Sequence, residues 1–290
     1  MGEHSPNWVM SWLRVVLLVL HIFYGVLLAV VYPYLSQSGQ RGILKTWSRQ
    51  LLAIFDIGLQ IEGSQPSCRE GGCLIVANHV SWLDIFVLNA IHPSCFIAKS
   101  EVRGWPVIGW LCQRVGTTFI ERGLRQNTTM INMRVGYMLG RNTSVALFPE
   151  GTTTDGKQVG HFYSALIQSA INSSARVYPI ALRYQDDAGE LSLSAAFTGE
   201  TTLIESIWKI LRNPHLNALV VHTPTLFPTI ANRRELARTA QNAIAQALQC
   251  FGTNKQLDAP QEITLFSHTL VSFQSSYSLL IDPMLNHRPK

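Results

Sequence analysis

The chain has 290 residues, of which 47% are hydrophobic and only 14% are charged. Soluble domains carry about 25% charged residues, so the deficit indicates contact with a membrane. The net charge of +5 suits anionic lipid headgroups. The sequence has no Lys/Arg stripe interleaved with aromatic residues and no recognised nucleic-acid motif, which argues against a nucleic-acid partner.

The apolar run Trp8 to Leu35 is interrupted by Arg14 and His21. With its aromatic flank, the run reaches the roughly 20 residues that cross a bilayer, and it predicts a membrane-anchoring segment. A secretory signal peptide is the competing interpretation. The run is longer than a typical signal-peptide core, however, and no small-residue cleavage site follows it.

Basic residues follow the apolar run at Arg41, Lys45 and Arg49. By the positive-inside rule they place the globular part in the cytoplasm, and a hairpin that enters one leaflet gives the same orientation. The stretch 44–61 has helical periodicity and is expected to lie on the membrane or on the core. We assign residues 1–62 to an N-terminal membrane-anchoring helical region.

The five cysteines have no metal-ligand spacing and cannot all pair with one another, which indicates a reduced, cytosol-facing compartment. Cys68 and Cys73 could bind a metal only with two further ligands from elsewhere. We expect no metal or other cofactor.

The stretch Cys73 to Ala77 predicts a buried strand, and Ser81 to Ala90 predicts the helix that follows it. If Ser81 is the N-cap, Asp84 is the third helical residue and the imidazole of His79 can fold back over the first turn. A carboxylate that accepts the Nδ1 proton would leave Nε2 as a general base. Spacing alone leaves open that Asp84 merely caps the helix while His79 fills a turn.

Strands and helices alternate along residues 63–251, which predicts an α/β domain with a largely parallel, mixed sheet flanked by helices. The segment 101–115 is expected to face lipid, wall an acyl pocket or pack in the core. The tail 252–290 has no assigned role. Further strands are predicted at Cys95–Ala98, Thr117–Ile120, Ser144–Phe148, Val177–Arg183, Leu191–Ala196 and Ala218–His222, and helices at Asn127–Arg141, Ser164–Ile171, Leu203–Leu211 and Asn232–Cys250.

The helix predicted at Asn127–Arg141 has Met130, Met133, Tyr137 and Met138 as its apolar positions, and we expect this face to pack in the core. Four chemically active side chains fall at or just after strand ends. Because ligands bind beyond the carboxyl ends of parallel strands, these residues predict one site. They are His79, Lys99, Arg122 and Glu150.

Four motifs in this order resemble the glycerolipid acyltransferase family, whose type member is 1-acylglycerol-3-phosphate acyltransferase. The resemblance spans roughly residues 70 to 185. A His-x4-Asp motif alone is common by chance, but the same motif followed by Phe-Pro-Glu-Gly-Thr is specific. The motifs are Asn78-His79-x4-Asp84, Gly116 to Gly123, Phe148-Pro149-Glu150-Gly151-Thr152 and Val177 to Ala181.

The resemblance implies acyl transfer from acyl-CoA or acyl carrier protein to the hydroxyl of a membrane lysolipid. His79, oriented by Asp84, would deprotonate the hydroxyl for direct attack on the thioester. Backbone amides near the helix N-terminus or the Gly151 turn could stabilise the oxyanion. The implied location is a membrane, specifically the bacterial inner (cytoplasmic) membrane, with the catalytic domain facing the cytoplasm. The acceptor would be bound by Lys99, Arg122, Glu150, Gly151 and Thr152.

The sequence departs from the family pattern at two places. Thr153-Thr154 replaces the common Arg-Ser after Glu-Gly-Thr, and His161-Phe162-Tyr163-Ser164 replaces a Phe-Lys-x-Gly run. A positive charge is lost at each place. We expect 1-acylglycerol-3-phosphate as the acceptor, giving phosphatidic acid in phospholipid biosynthesis, with lyso-ornithine lipid as the alternative. A non-catalytic, membrane-anchored lipid-binding protein is a further alternative, against which the intact His79, Asp84 and Glu150 argue.

Overall fold

The computed structural model of the chain describes residues 8–65, 72–120, 125–213, 215–228 and 232–253. The helices are α1 (Trp8–Val31), α2 (Gln37–Ile54), α3 (Asp84–Ile91), α4 (Ser100–Arg103), α5 (Ile108–Arg114), α6 (Arg125–Gly140), α7 (Gln168–Asn172), α8 (Leu203–Leu211) and α9 (Arg233–Thr253). The strands are β1 (Ile57–Glu62), β2 (Leu74–Ala77), β3 (Cys95–Lys99), β4 (Thr118–Ile120), β5 (Val145–Leu147), β6 (Val177–Gln185) and β7 (Leu216–His222).

The seven strands form one sheet in the order β1-β7-β6-β2-β5-β3-β4. Neighbouring strands are parallel except at the β6/β7 pair, so β1 and β7 run opposite to the other five. The predicted α/β fold with a largely parallel mixed sheet and flanking helices is confirmed. The carboxyl ends of β2, β3 and β5 consequently lie at one edge of the sheet.

The central strand β2 is buried on both faces, which explains its uninterrupted apolar run. Ile75 and Ala77 pack into the core beneath α2, α3 and α8, while Leu74 and Val76 pack into the core beneath α6, α7 and α9. Helices therefore cover both faces of the sheet, and the loop that leaves β2 emerges between the two cores.

Two predicted elements are wrong. The helix predicted through residue 61 ends at Ile54, and Asp56, with a φ of 58°, separates it from β1. The sheet thus begins at Ile57, inside the range 1–62 that the sequence assigned to the N-terminal helical region. Because β1 is a partly buried strand at the sheet edge, it has no continuous apolar run to distinguish it. The strand predicted at Leu191–Ala196 is reduced to one bridge between Leu191 and Gln185.

The core face predicted for the helix after β4 is also wrong. Met130, Met133 and Tyr137 are 69%, 70% and 64% exposed, and Met138 is only partly buried. The buried face of α6 is instead formed by branched side chains that recur every four residues. The face of α6 that packs in the core carries Ile131, Val135 and Leu139.

The helix α1 is packed against the domain by one narrow stripe along its length. Its buried residues are Ser11, Leu18, His21, Gly25 and Ala29, which recur at helical spacing. The opposite side is apolar and exposed, as at Val9, Phe23 and Leu27. Among the described residues, Trp8–Tyr34 is the stretch long and apolar enough to cross a membrane by length and composition.

The polar residues that interrupt the apolar run of α1 face the domain. The Nη2 atom of Arg14 lies 2.7 Å from Oδ2 of Asp56. The His21 ring stacks on Trp47 with 4.7 Å between centroids. At Gly25 a Cβ would lie 2.8 Å from the Trp47 ring, so a glycine is required for this close approach. These residues therefore attach α1 to the globular domain.

The segment after β3 forms two short helices, α4 and α5, and its large apolar side chains are not part of the core. Trp105, Val107 and Trp110 are 39%, 48% and 39% exposed. These three side chains are thus not packed in the core, and a surface that faces lipid or an acyl chain stays a prediction.

Candidate active site

An imidazole and a buried carboxylate meet directly after β2. The Nδ1 atom of His79 lies 2.8 Å from Oδ2 of Asp84, whose side chain is fully buried. The same oxygen accepts hydrogen bonds from the backbone amides of Val80, at 2.7 Å, and Ser81, at 3.0 Å. A buried carboxylate with several donors is favoured in its charged form. His79 therefore has a fixed anionic partner, and its Nδ1 serves as the donor to it.

The backbone between His79 and Asp84 differs from the predicted one. Leu83, not Ser81, is the N-cap of α3, and Asp84 is its first rather than its third residue. The Ser81 hydroxyl instead accepts the Leu83 amide at 3.3 Å, one turn before the helix. Asp84 still accepts the Ser81 amide, which is the reciprocal half of a capping box. At the first turn of α3 its negative charge is also stabilised by the helix dipole.

Two residues on or beside β6 complete the pair's surroundings. The Asn78 side chain donates to the Leu182 carbonyl at 2.9 Å and accepts the Leu182 amide at 2.7 Å. The Tyr184 hydroxyl donates to Oδ1 of Asp84 at 2.7 Å. The sequence indicated Asn78 only as part of a motif and gave no indication of Tyr184. Tyr184 lies two residues beyond Leu182, the partner of Asn78, so only the β2/β6 register could have indicated it.

The motif Phe148-Pro149-Glu150 supports His79 from two sides. The Phe148 ring lies parallel to the imidazole, at 6°, with 4.0 Å between ring centroids. Glu150 accepts the His79 amide through Oε1 at 3.1 Å. Among the described residues, Nε2 of His79 has no hydrogen-bond partner, and the side chain is 18% exposed. The imidazole is therefore held in place while the nitrogen that could accept a proton stays accessible.

Glu150 is a buried acid with an incompletely satisfied carboxylate. It is 4% exposed. Its Oε2 has no partner in hydrogen-bond geometry within the described ranges, and the Gly160 backbone lies beside it. Burial, aided by the charge of Asp84, raises the pKa of Glu150 to about 7, against the opposing effect of the His79 and Gly160 amides. Glu150 therefore changes charge near neutral pH.

We expect Glu150→Gln to remove a pH dependence of stability. A carboxyl whose pKa is about 7 in the folded chain and near 4.3 when unfolded stabilises the fold below the unfolded pKa, and this contribution is lost as pH rises through 7. Relative to the Gln variant, the wild-type Tm should fall by a few °C between pH 5 and pH 8, as measured in detergent. The exposed Glu190→Gln variant is the control. If the difference in Tm between the wild type and Glu150→Gln were the same at every pH, the raised pKa of Glu150 would be contradicted.

The turn after β5 fixes the backbone of His79 from the other side. Gly151 has a φ of 70°, a conformation that favours glycine. Thr154 donates to the His79 carbonyl through its amide at 2.8 Å and its hydroxyl at 3.2 Å. Thr153 donates its hydroxyl to the Phe197 carbonyl, and Thr152 is exposed. The amide of His79 is thus held by Glu150 and its carbonyl by Thr154.

The side chains of the two basic residues predicted for the site cannot be placed, and the predicted oxyanion donors already have partners. Lys99 ends β3, and its backbone pairs with Ile120, but its side chain lies outside the described part of the chain. Arg122 also lies outside the described residues. The amides proposed for the oxyanion are engaged within the protein, since those of Val80 and Ser81 donate to Asp84 and that of Gly151 donates to Phe148.

A sequence model of the acyltransferase family matches residues 58–183 of this chain. The chain is 37% identical over 214 residues to a lyso-ornithine lipid O-acyltransferase of Pseudomonas aeruginosa, covering 73% of this chain and 79% of the relative. It is 40% identical over 175 residues to a 1-acyl-sn-glycerol-3-phosphate acyltransferase of Neisseria meningitidis, covering 60% of this chain and 68% of the relative.

The fold resembles the crystal structure of the 1-acyl-sn-glycerophosphate acyltransferase PlsC from Thermotoga maritima, with a TM-score of 0.65 and 18% identity. The match covers 87% of this chain and 98% of the solved chain. The chain therefore shares the α/β fold of that protein. It belongs to the acyltransferase family, and the resemblance drawn from its four motifs is confirmed.

Proposed function

We propose that the chain transfers a fatty acyl group from acyl-CoA or acyl carrier protein to the free hydroxyl of a membrane lysolipid, with His79 as the general base. The observation that carries the proposal is the 2.8 Å contact between Nδ1 of His79 and the buried carboxylate of Asp84. This contact assigns the Nδ1 proton, leaves Nε2 as the basic nitrogen and provides a negative charge for the imidazolium that forms.

In the proposed reaction, Nε2 of His79 takes the proton from the acceptor hydroxyl while its oxygen attacks the thioester carbonyl carbon. The C–S bond then breaks, and the thiolate takes the proton from the imidazolium. The products are an ester and a free thiol, and no acyl group is bound to the protein. General base catalysis of this kind contributes roughly 10²- to 10⁴-fold to a rate. Neither a metal nor another cofactor takes part in this scheme.

The proposal assigns acceptor binding to Lys99, Arg122, Glu150, Gly151 and Thr152. A guanidinium at residue 122 suits paired hydrogen bonds to a phosphate. The Glu150 carboxylate has a second role in supporting the His79 backbone, because its Oε1 accepts that amide. Thr152 is the exposed residue of this turn, where an acceptor headgroup could reach it.

The first candidate acceptor is 1-acylglycerol-3-phosphate, because Lys99 and Arg122 provide charge for its phosphate. Lyso-ornithine lipid is the second candidate. It is favoured by Thr153, which stands where the family commonly has arginine and donates its hydroxyl to the Phe197 carbonyl. This position offers no charge to a phosphomonoester, and one relative with 37% identity is named for that lipid.

The deciding experiment is an acceptor panel. Purified full-length protein is supplied with labelled acyl-CoA or acyl carrier protein and with each lysolipid in turn, and the products are identified by lipid mass spectrometry. We expect 1-acylglycerol-3-phosphate to give the highest kcat/KM, and Arg122→Ala to raise its KM far more than that of a zwitterionic lysolipid. A higher kcat/KM for lyso-ornithine lipid would assign the second acceptor. Tight lysolipid binding without thioester consumption would identify a non-catalytic lipid-binding protein.

We further propose that α1 lies in one leaflet of the bacterial inner membrane, with the active site facing the cytoplasm. Its exposed face is apolar, and its opposite face is packed on the domain from Ser11 to Ala29. Trp8 and Trp12 contact Trp208, and the Arg212 guanidinium lies 4.7 Å from the Trp8 ring. Aromatic and basic groups together favour the lipid–water interface. Periplasmic labelling of a Trp8→Cys variant in intact cells would contradict this arrangement.

A further inference from the structure

The hydroxyl of Tyr184 is the partner of Asp84 on the side away from His79. It donates to Oδ1 at 2.7 Å, while Oδ2 accepts His79 and two backbone amides. Tyr184 is 1% exposed and Asp84 is fully buried. Within the described residues, Oδ1 has Tyr184 as its hydrogen-bond partner. Without this hydroxyl, one oxygen of a buried carboxylate would be unpaired, which is costly.

The strand register places this hydroxyl on the carboxylate. Asn78 is bonded to both the amide and the carbonyl of Leu182, and this double contact fixes the end of β2 against β6. Tyr184 follows two residues later, on the same face of the strand as Leu182. The His79–Asp84 pair and Tyr184 are consequently positioned by the same contact between strands.

Tyr184 can act only as a donor at this position. Burial, followed by the negative charge of Asp84, raises the pKa of Tyr184 well above its usual range. The phenol therefore keeps its proton at neutral pH and can donate it to Asp84. Besides His79, Asp84 and Tyr184 themselves, Glu150 is the titratable residue in the described chain that is bonded to the pair, because its Oε1 accepts the His79 amide.

Resting on the proposed role of His79, we propose that Tyr184 is a positioning residue for acyl transfer, which orients Asp84 and limits how strongly its charge holds the His79 imidazolium. The hydroxyl fixes Oδ1, so that Oδ2 faces Nδ1. It also shares the negative charge, so that the imidazolium is held firmly enough to form and loosely enough to return its proton to the departing thiolate.

The test is Tyr184→Phe, with Tyr178→Phe as its matched control. Tyr178 is a buried tyrosine on the same strand and face, near the opposite end. When the hydroxyl is lost, the unshared charge of Asp84 should hold the imidazolium more tightly. The acidic limb of the kcat/KM profile should move to higher pH by about half a unit or more. We expect kcat to fall about tenfold and the KM for the acyl donor to stay unchanged.

Because the pKa of Glu150 is about 7 and this carboxyl also affects the profile, histidine NMR must assign the shift to the His79 ring. A second variant has the opposite sign: 3-fluorotyrosine at position 184 is a stronger donor and should move the limb to lower pH. Tyr184→Phe with a lower Tm, an equal loss of rate at every pH and an unmoved His79 titration would overturn the proposal. The NMR titration needs no turnover. Absence of acyl transfer by the wild type would therefore count against the proposed function and not against this coupling.

Discussion

Replacing His79 with alanine is expected to lower kcat of acyl transfer by about 10³-fold with little change in KM for either substrate. In the proposed mechanism the imidazole takes the acceptor proton, whereas substrate contacts are assigned to other residues. The side chain is partly exposed and stacked on one face by Phe148, so its removal should leave the core intact. The rate is measured as thiol release and ester formation by purified protein in mixed micelles.

The control for this variant is His215→Ala, which removes a histidine that pairs with Asp56, at 3.0 Å, near the attachment of α1. This variant should keep most of the activity. Unfolding temperatures of both variants separate loss of chemistry from loss of structure. A folded His79→Ala protein with wild-type kcat would contradict the proposed general base.

Replacing Asp84 with asparagine should lower kcat by about 10²- to 10⁴-fold while retaining the fold. An amide oxygen can take the place of Oδ2 and accept the same three donors, and the amide nitrogen can donate to the Tyr184 oxygen. The shape of the site is then preserved and the negative charge is lost. An imidazolium without its anionic partner forms less readily, so the acidic limb of the kcat/KM profile should move to lower pH.

This direction is opposite to that expected for Tyr184→Phe, so the two variants test one electrostatic account with opposite signs. The measurement is a pH profile of kcat/KM for both variants and for the wild type in the same micelles. Asp84→Asn with wild-type activity would mean that Asp84 only supports the loop through the Val80 and Ser81 amides. An acidic limb that moves in the same direction in Tyr184→Phe and in Asp84→Asn would likewise contradict the account.

The parts of the site that could be predicted depend either on a short sequence separation or on the positions of strand ends. His79 and Asp84 are five residues apart, and strand ends place His79 and Glu150 at one edge of a parallel sheet. The local path was predicted less well, because a turn at Trp82 and Leu83, closed by a hydrogen bond from the Asp84 amide to the Ser81 carbonyl, precedes α3. Side chains at such a junction depend on turn geometry that residue spacing does not determine.

The unpredicted parts depend on contacts between distant strands and helices. Tyr184 lies 100 residues beyond Asp84, and only the β2/β6 register brings them together. The edge strand β1 is defined by its pairing with β7, not by its own composition. The exposed methionines of α6 show the same limit, since helical periodicity identifies apolar positions without showing which neighbour covers them.

The most direct test of direct acyl transfer through His79 is a single-turnover experiment followed by mass spectrometry of the intact protein and of the lipids. Full-length wild-type protein is first mixed with an acyl thioester alone, and lysolipid is then added. The account predicts no change in protein mass and no thiol release before the lysolipid is added. It then predicts one ester per thiol with the wild type and almost none with His79→Ala. An acyl adduct on the protein before lysolipid is added, or equal ester formation by His79→Ala, would contradict it.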